Sequence, residues 1–170
     1  YGFECNLTSE KNIISVFSDI SKNFGKLDVI INNAAVTGED LLKLKHKDPF
    51  PAFKNYPLDL WEFVLKINLT APFLVAREGY GLLKKSKSPS LINVSSIYGV
   101  VAPDHRIYKD MEFASFASYS ATKAGIHGLT IWLSTYWGKE KIRVNTLSPG
   151  GIDNNHTIKF KKRYSNRVPL

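Results

Sequence analysis

Residues 27–33 (Leu-Asp-Val-Ile-Ile-Asn-Asn) form a short, nearly continuous apolar run. That is the pattern of a strand in a parallel sheet covered on both faces. Ser90–Ser95 and Arg143–Leu147 repeat it, and a further strand is expected over residues 2–5. Between these runs the apolar spacing lengthens to that of helices. Ser9–Phe24 reads as a helix with Ser9 as its N-cap. Leu58–Arg77 reads as one long helix after Pro57, with Asp59 and Glu62 in its first turn, and Ser118–Trp137 as another. Strands alternating with helices predict an α/β fold with a doubly wound parallel sheet. There is no internal repeat or low-complexity stretch.

Composition sets bounds on this picture. The 170 residues are 44% apolar, enough for one core, so residues 1–170 read as a single domain. No apolar stretch reaches the length of a membrane span. No signal peptide precedes the first strand, and the single Cys5 has no partner for an internal disulfide. A cytoplasmic location follows as the default, with Cys5 an inert buried residue at a strand end. The net charge of +8 gathers at Lys43/Lys45/Lys47, Lys84/Lys85/Lys87 and Lys159/Lys161/Lys162/Arg163. These clusters sit on separate elements, without a nucleic-acid module or interleaved aromatics. Solvated lysines are the reading they favour, and no nucleic-acid partner is expected.

The chemistry concentrates in Ser118-Tyr119-Ser120-Ala121-Thr122-Lys123-Ala124-Gly125. Residues four apart share a helix face, so Tyr119 and Lys123 can point into one cleft. An ammonium beside a phenol favours the phenolate. Moving a tyrosine from about 10 to neutrality takes roughly 4 kcal/mol, within reach of a cation in a low-dielectric cleft. Tyr119 is thus a candidate general acid/base. Alone the spacing is common, and a solvated lysine beside a half-buried tyrosine accounts for most such pairs.

Here four further segments agree with it. Leu27–Ile31 runs into Asn32-Asn33-Ala34-Ala35. Leu65-Lys66-Ile67-Asn68-Leu69 follows, then Leu91–Gly99 with Asn93-Val94-Ser95-Ser96, and last Ile142–Ile152 with Ser148-Pro149-Gly150-Gly151. In this order the segments resemble the short-chain dehydrogenase/reductase family over nearly the whole chain. The resemblance implies a Rossmann-like doubly wound sheet and a nicotinamide cofactor, NAD or NADP, with no metal in the site. It implies hydride transfer between a hydroxyl and a carbonyl. The family's catalytic Asn-Ser-Tyr-Lys set maps to Asn68, Ser96, Tyr119 and Lys123. Ser96 is chosen over Ser95 because two residues and then Gly99 follow it. By resemblance, Tyr119 moves the proton and Ser96 binds the same oxygen. Lys123 lowers the Tyr119 pKa and holds the ribose hydroxyls, and Asn68 anchors a relay water or, as a simpler role, pins a helix kink. Asn33 and Ala34 line the adenosine side, and Pro149, Gly150 and Ile152 the nicotinamide side.

Several features depart from the family pattern. No glycine-rich turn for a pyrophosphate occurs after a first strand. The residues read as a fragment lacking the family's first two strands and its last, so they are not expected to fold or hold cofactor well alone. The residue that would choose between NAD and NADP falls outside them. Ala35 stands for a family glycine, Asn6 for a frequent aspartate, and Asn154 for a common threonine. The polar segment Val100–Ala117, longer than usual, is expected to border the site. Its look resembles bacterial members tied to surface-glycan or flagellin-sugar synthesis. The tail Ile152–Arg163 corresponds to a flap over the substrate. Its four cations fit an anionic small-molecule substrate such as a phosphorylated or nucleotide sugar, or else merely aid solubility. Phe63, Phe73, Trp132 and Trp137 fit helices paired across a two-fold axis in a homodimer or homotetramer. A sugar-nucleotide epimerase/dehydratase relative and a catalytically silent relative stand as the alternatives.

Overall fold

The computed structural model describes residues 1–44, 48–153 and 156–168. Lys45 and Lys47 of the first basic cluster, and Asn154 with its expected role, lie outside the described residues. Helix α1 spans Glu10–Phe24, and the Ser9 hydroxyl accepts from the Asn12 N–H at 3.3 Å, as its N-cap role requires. Strand β1 is Val29–Asn32, followed by the short α2 at Gly38–Lys43. The expected long helix is divided into α3 (Leu58–Leu65), a π-helical turn (Lys66–Thr70) and α4 (Ala71–Leu83). Next come β2 (Ser90–Val94), α5 (Ala117–Tyr136), β3 (Arg143–Leu147) and α6 (Ile158–Ser165).

The three strands are parallel in the order β1-β2-β3, with Ile30 beside Leu91 and Leu91 beside Val144. That row meets Ala76 and Leu83 of α4 and Leu133 of α5 in one buried cluster. Gly79 lets α4 come this close, because a Cβ there would lie 2.3 Å from the Ile30 Cδ1. Helix α1 packs beside α4 through Ile13 and Phe17.

Four sequence expectations need correction. Residues 2–5 form no strand, since β1 is the sheet edge and no described strand lies beyond it to pair with them. Cys5 is therefore half-buried in a loop, beside Ile13 and Ala71. The sheet is covered on one face only: Val29 is 49%, Ile31 58% and Leu147 56% exposed, because the described helices gather on the opposite face. Trp137 is not a surface aromatic. It is 4% exposed and stacks on Tyr80 at 5.4 Å within the core.

Candidate active site

The carboxyl ends of all three strands open into one cleft of about 530 Å³, where ligands bind in open α/β sheets. Asn33 follows β1, Ser96 follows β2, and Pro149, Gly150 and Ile152 follow β3; all line the cleft with Tyr119 and Lys123. Ala34 is exposed beside it, and Asn68 lies buried beneath. The strand ends are tied together: the Ser95 N–H donates to the Leu147 carbonyl at 2.8 Å, and the Ile97 N–H to the Pro149 carbonyl at 3.0 Å.

The two serines are separated by their bonds. The Ser95 hydroxyl donates to the Lys123 carbonyl at 2.7 Å and is 3% exposed. The Ser96 hydroxyl accepts from the Tyr98 N–H at 3.2 Å, and its own proton has no acceptor among the described residues. Gly99 makes this packing possible, since a Cβ there would sit 2.7 Å from the Lys123 carbonyl and 2.8 Å from the Ser95 hydroxyl.

Tyr119 lies near the start of α5 with its ring 5.5 Å from Phe116. Its hydroxyl makes no hydrogen bond among the described residues. One turn on, the Lys123 ammonium sits 5.6 Å from the Tyr119 ring centroid and donates to the Val94 carbonyl at 2.8 Å. Only that one of its three N–H donors is engaged among the described residues. Burial pulls its pKa down to about 8, because desolvation penalises the ammonium.

Asn68 occupies the π turn and is 2% exposed. Its side-chain oxygen accepts from the Val36 N–H at 2.7 Å. Its amide donates to the Val36 carbonyl at 3.1 Å and the Thr122 hydroxyl at 3.4 Å. Thr122 in turn donates to the Tyr119 carbonyl at 2.9 Å. The extra residue of the π turn thus aims an amide that ties the segment after β1 to the helix start bearing Tyr119. Asn68→Ala should destabilise the fold by about 3 kcal/mol, since it leaves two buried Val36 groups unpaired at roughly 1–3 kcal/mol each. Denaturant unfolding checks this, and a loss below about 1 kcal/mol would mean the clamp is dispensable.

The segment from Val100 to Ala117 does border the site, contributing Tyr108, Phe113 and Phe116 to the cleft wall. Helix α6 closes over it through Phe160, which lies 5.4 Å from the Phe113 ring and 5.9 Å from the Tyr108 ring. Three of the four α6 cations, Lys159, Lys161 and Arg163, face acids and carbonyls of this chain. Lys159 is 3.7 Å from Asp110, Lys161 is 2.6 Å from Asp153, and Arg163 donates to the Ile107 and Lys109 carbonyls. The side of α6 that lines the cleft is aromatic, Phe160 and Tyr164. Sequence reasoning missed this because the partner of Lys159 and Arg163, Asp110, lies some 50 residues upstream, and because Asp153, within the tail itself, was not weighed against Lys161.

A strand-end cleft with a serine, a tyrosine and a buried lysine one helical turn apart defines a short-chain dehydrogenase architecture. A family profile described as short chain dehydrogenase matches residues 1–165, and the chain belongs to that family. A 3-oxoacyl-(acyl-carrier-protein) reductase FabG of Aquifex aeolicus is 30% identical over 174 residues, covering 100% of this chain and 62% of the relative. The post-translational flagellin modification protein A of Campylobacter coli is 30% identical over 159 residues, covering 94% and 59%. A crystal structure of a Leptospira borgpetersenii short chain dehydrogenase with bound NAD+ superposes with a TM-score of 0.84 at 31% identity, covering 99% of this chain and 60% of that one. The chain therefore spans about three-fifths of the length of these relatives.

Proposed function

We propose that the full-length protein is an NAD(P)-dependent oxidoreductase interconverting a hydroxyl and a carbonyl. The observation that carries this reading is the convergence of Ser96, Tyr119 and Lys123 on one strand-end cleft. The residues fit a nicotinamide nucleotide on its ribose side: Lys123 holds a buried ammonium with donors left over, beside the exposed Gly150 and Ile152 backbone. The Leptospira relative's bound NAD+ supports the same assignment. The cofactor, when bound, gives or takes the hydride.

The chain's own residues do the rest. Tyr119 gives its proton to the carbonyl oxygen in reduction and takes the hydroxyl proton in oxidation. The Ser96 hydroxyl donates to that oxygen, its acceptor side being occupied by the Tyr98 N–H. Lys123 binds the ribose hydroxyls and supplies positive charge beside Tyr119. Asn68 holds a relay water through an oxygen, as its amide protons are committed. Asn33 and Ala34 border the adenosine side, and Pro149, Gly150 and Ile152 the nicotinamide.

The flagellin-modifying relative keeps a phosphorylated or nucleotide sugar among the substrates of this reading. Lys159, Lys161 and Arg163, engaged within the chain, give that choice no added weight. Exposed Phe73, Trp132 and Tyr136 supply the apolar face for a homodimer or homotetramer. A lone, half-buried cysteine suits the cytoplasm. The test is to assay the full-length protein with NAD(H) and NADP(H) against a panel of alcohols and carbonyls, reading reduced-nicotinamide absorbance. Cofactor-dependent turnover is expected with one of the pair; the absence of both turnover and saturable cofactor binding would overturn the reading.

A further inference from the structure

Two tyrosines in the cleft have no part in the mechanism above. Tyr98 lies in the 3₁₀ turn Ile97–Gly99 directly after Ser96, and Tyr108 comes from the following loop; both line the cleft and are half-buried. The Tyr108 hydroxyl donates to the Tyr98 hydroxyl at 3.0 Å. The Tyr98 hydroxyl is then left with a proton that no described residue accepts. A hydroxyl that accepts one hydrogen bond is polarised to donate a stronger one.

The pair is held in place from several sides. The Tyr98 N–H is bonded to the Ser96 hydroxyl, the Gly99 N–H to the Ser96 carbonyl at 2.9 Å, and Gly99 packs on the Lys123 carbonyl. The Tyr108 ring is fixed edge-on to Phe113 at 5.8 Å and tilted on Phe160 of α6 at 5.9 Å. Burial pushes both phenols above their ordinary pKa; the bond between them raises Tyr108, the donor, and partly offsets the rise at Tyr98, the acceptor. The two are therefore neutral donors across physiological pH, in the same cleft as Tyr119.

Resting on the oxidoreductase reading, we propose that Tyr98, oriented by Tyr108, is a specificity-determining donor that binds a second oxygen of the substrate. The preferred substrate class is then a carbonyl compound bearing another acceptor oxygen, with its reacting carbonyl at Ser96 and Tyr119. A ketone without that oxygen would leave the Tyr98 proton without a partner in a half-buried wall. Sites built to bond a substrate oxygen discriminate strongly against analogues that lack it.

The experiment uses the full-length protein and ketones paired with their hydroxylated counterparts, cyclohexanone with the hydroxycyclohexanones and acetone with hydroxyacetone. The readout is the ratio of kcat/KM within each pair. Wild type should favour at least one hydroxylated member, and Tyr98→Phe should reduce that ratio by about tenfold or more. Tyr108→Phe, which keeps the Tyr98 hydroxyl but removes its polarising donor, should reduce it by a smaller factor. Thermal melting of each variant checks that the fold is retained. An unaltered ratio in folded Tyr98→Phe, or a loss that falls equally on both members of a pair, overturns the proposal while leaving the oxidoreductase reading intact. Wild-type protein that binds cofactor saturably but turns over no hydroxylated member overturns the proposal alone; absence of both turnover and saturable cofactor binding overturns the oxidoreductase reading with it.

Discussion

Tyr119→Phe in the full-length protein is expected to lower turnover about a thousandfold while nicotinamide affinity stays within a few-fold. General acid/base groups typically supply factors of about 100 to 10,000, and this substitution removes only the hydroxyl. The Phe116 contact at 5.5 Å is one a phenylalanine keeps. The Tyr119 hydroxyl has no hydrogen bond among the described residues, so its loss strands no partner. Steady-state rates with fluorescence titration of the cofactor separate the two effects. A variant keeping a tenth or more of wild-type turnover would move the proton-transfer role elsewhere, with the neighbouring Tyr98 hydroxyl the first place to look.

Much of this site is legible in the linear sequence because its parts are local. Tyr119 and Lys123 are one helical turn apart, and β3 has the bounds Arg143–Leu147 that its apolar run predicts. Ser96 is singled out by its spacing to Gly99, and Gly99 is where the turn comes close to the Lys123 carbonyl. Features set by distant partners were hidden. Pro72, which lacks the N–H that would bond the Asn68 carbonyl, marks a break near the π turn at Lys66–Thr70, but the pairing of Asn68 with Val36, 32 residues away, is not visible locally. Trp137 reads as an interface aromatic until Tyr80 is found stacked on it. Lys159 and Arg163 look like part of a substrate clamp until Asp110, some 50 residues upstream, is placed beside them. The residue pattern at 2–5 reads as a strand, but a strand exists only where a neighbour completes its hydrogen bonds.

The second large effect concerns Lys123, where function and stability pull in opposite directions. The side chain is 4% exposed, and burial depresses its pKa from the ordinary lysine value of 10.5 to about 8. At neutral pH both folded and unfolded chains carry the proton, and holding it in the buried site costs about 3 kcal/mol. Lys123→Met removes that penalty but leaves the Val94 carbonyl without its donor, a loss of about 1 kcal/mol or more. The net expectation at pH 7, without cofactor, is a fold about 1–2 kcal/mol more stable, with turnover reduced by at least about a hundredfold. The pH dependence carries the sign. Between pH 8 and 10.5 the unfolded chain binds this proton and the folded chain does not, so wild-type stability gains from Lys123 as pH rises through that window. The contribution is fully present above the unfolded value and lost as pH falls through about 8. Urea unfolding of wild type and Lys123→Met across this range isolates it, because other titrating groups cancel in the difference. The stability advantage of the Met variant should shrink steadily toward pH 10.5. An advantage that stays constant with pH would show that Lys123 is solvated in the folded state.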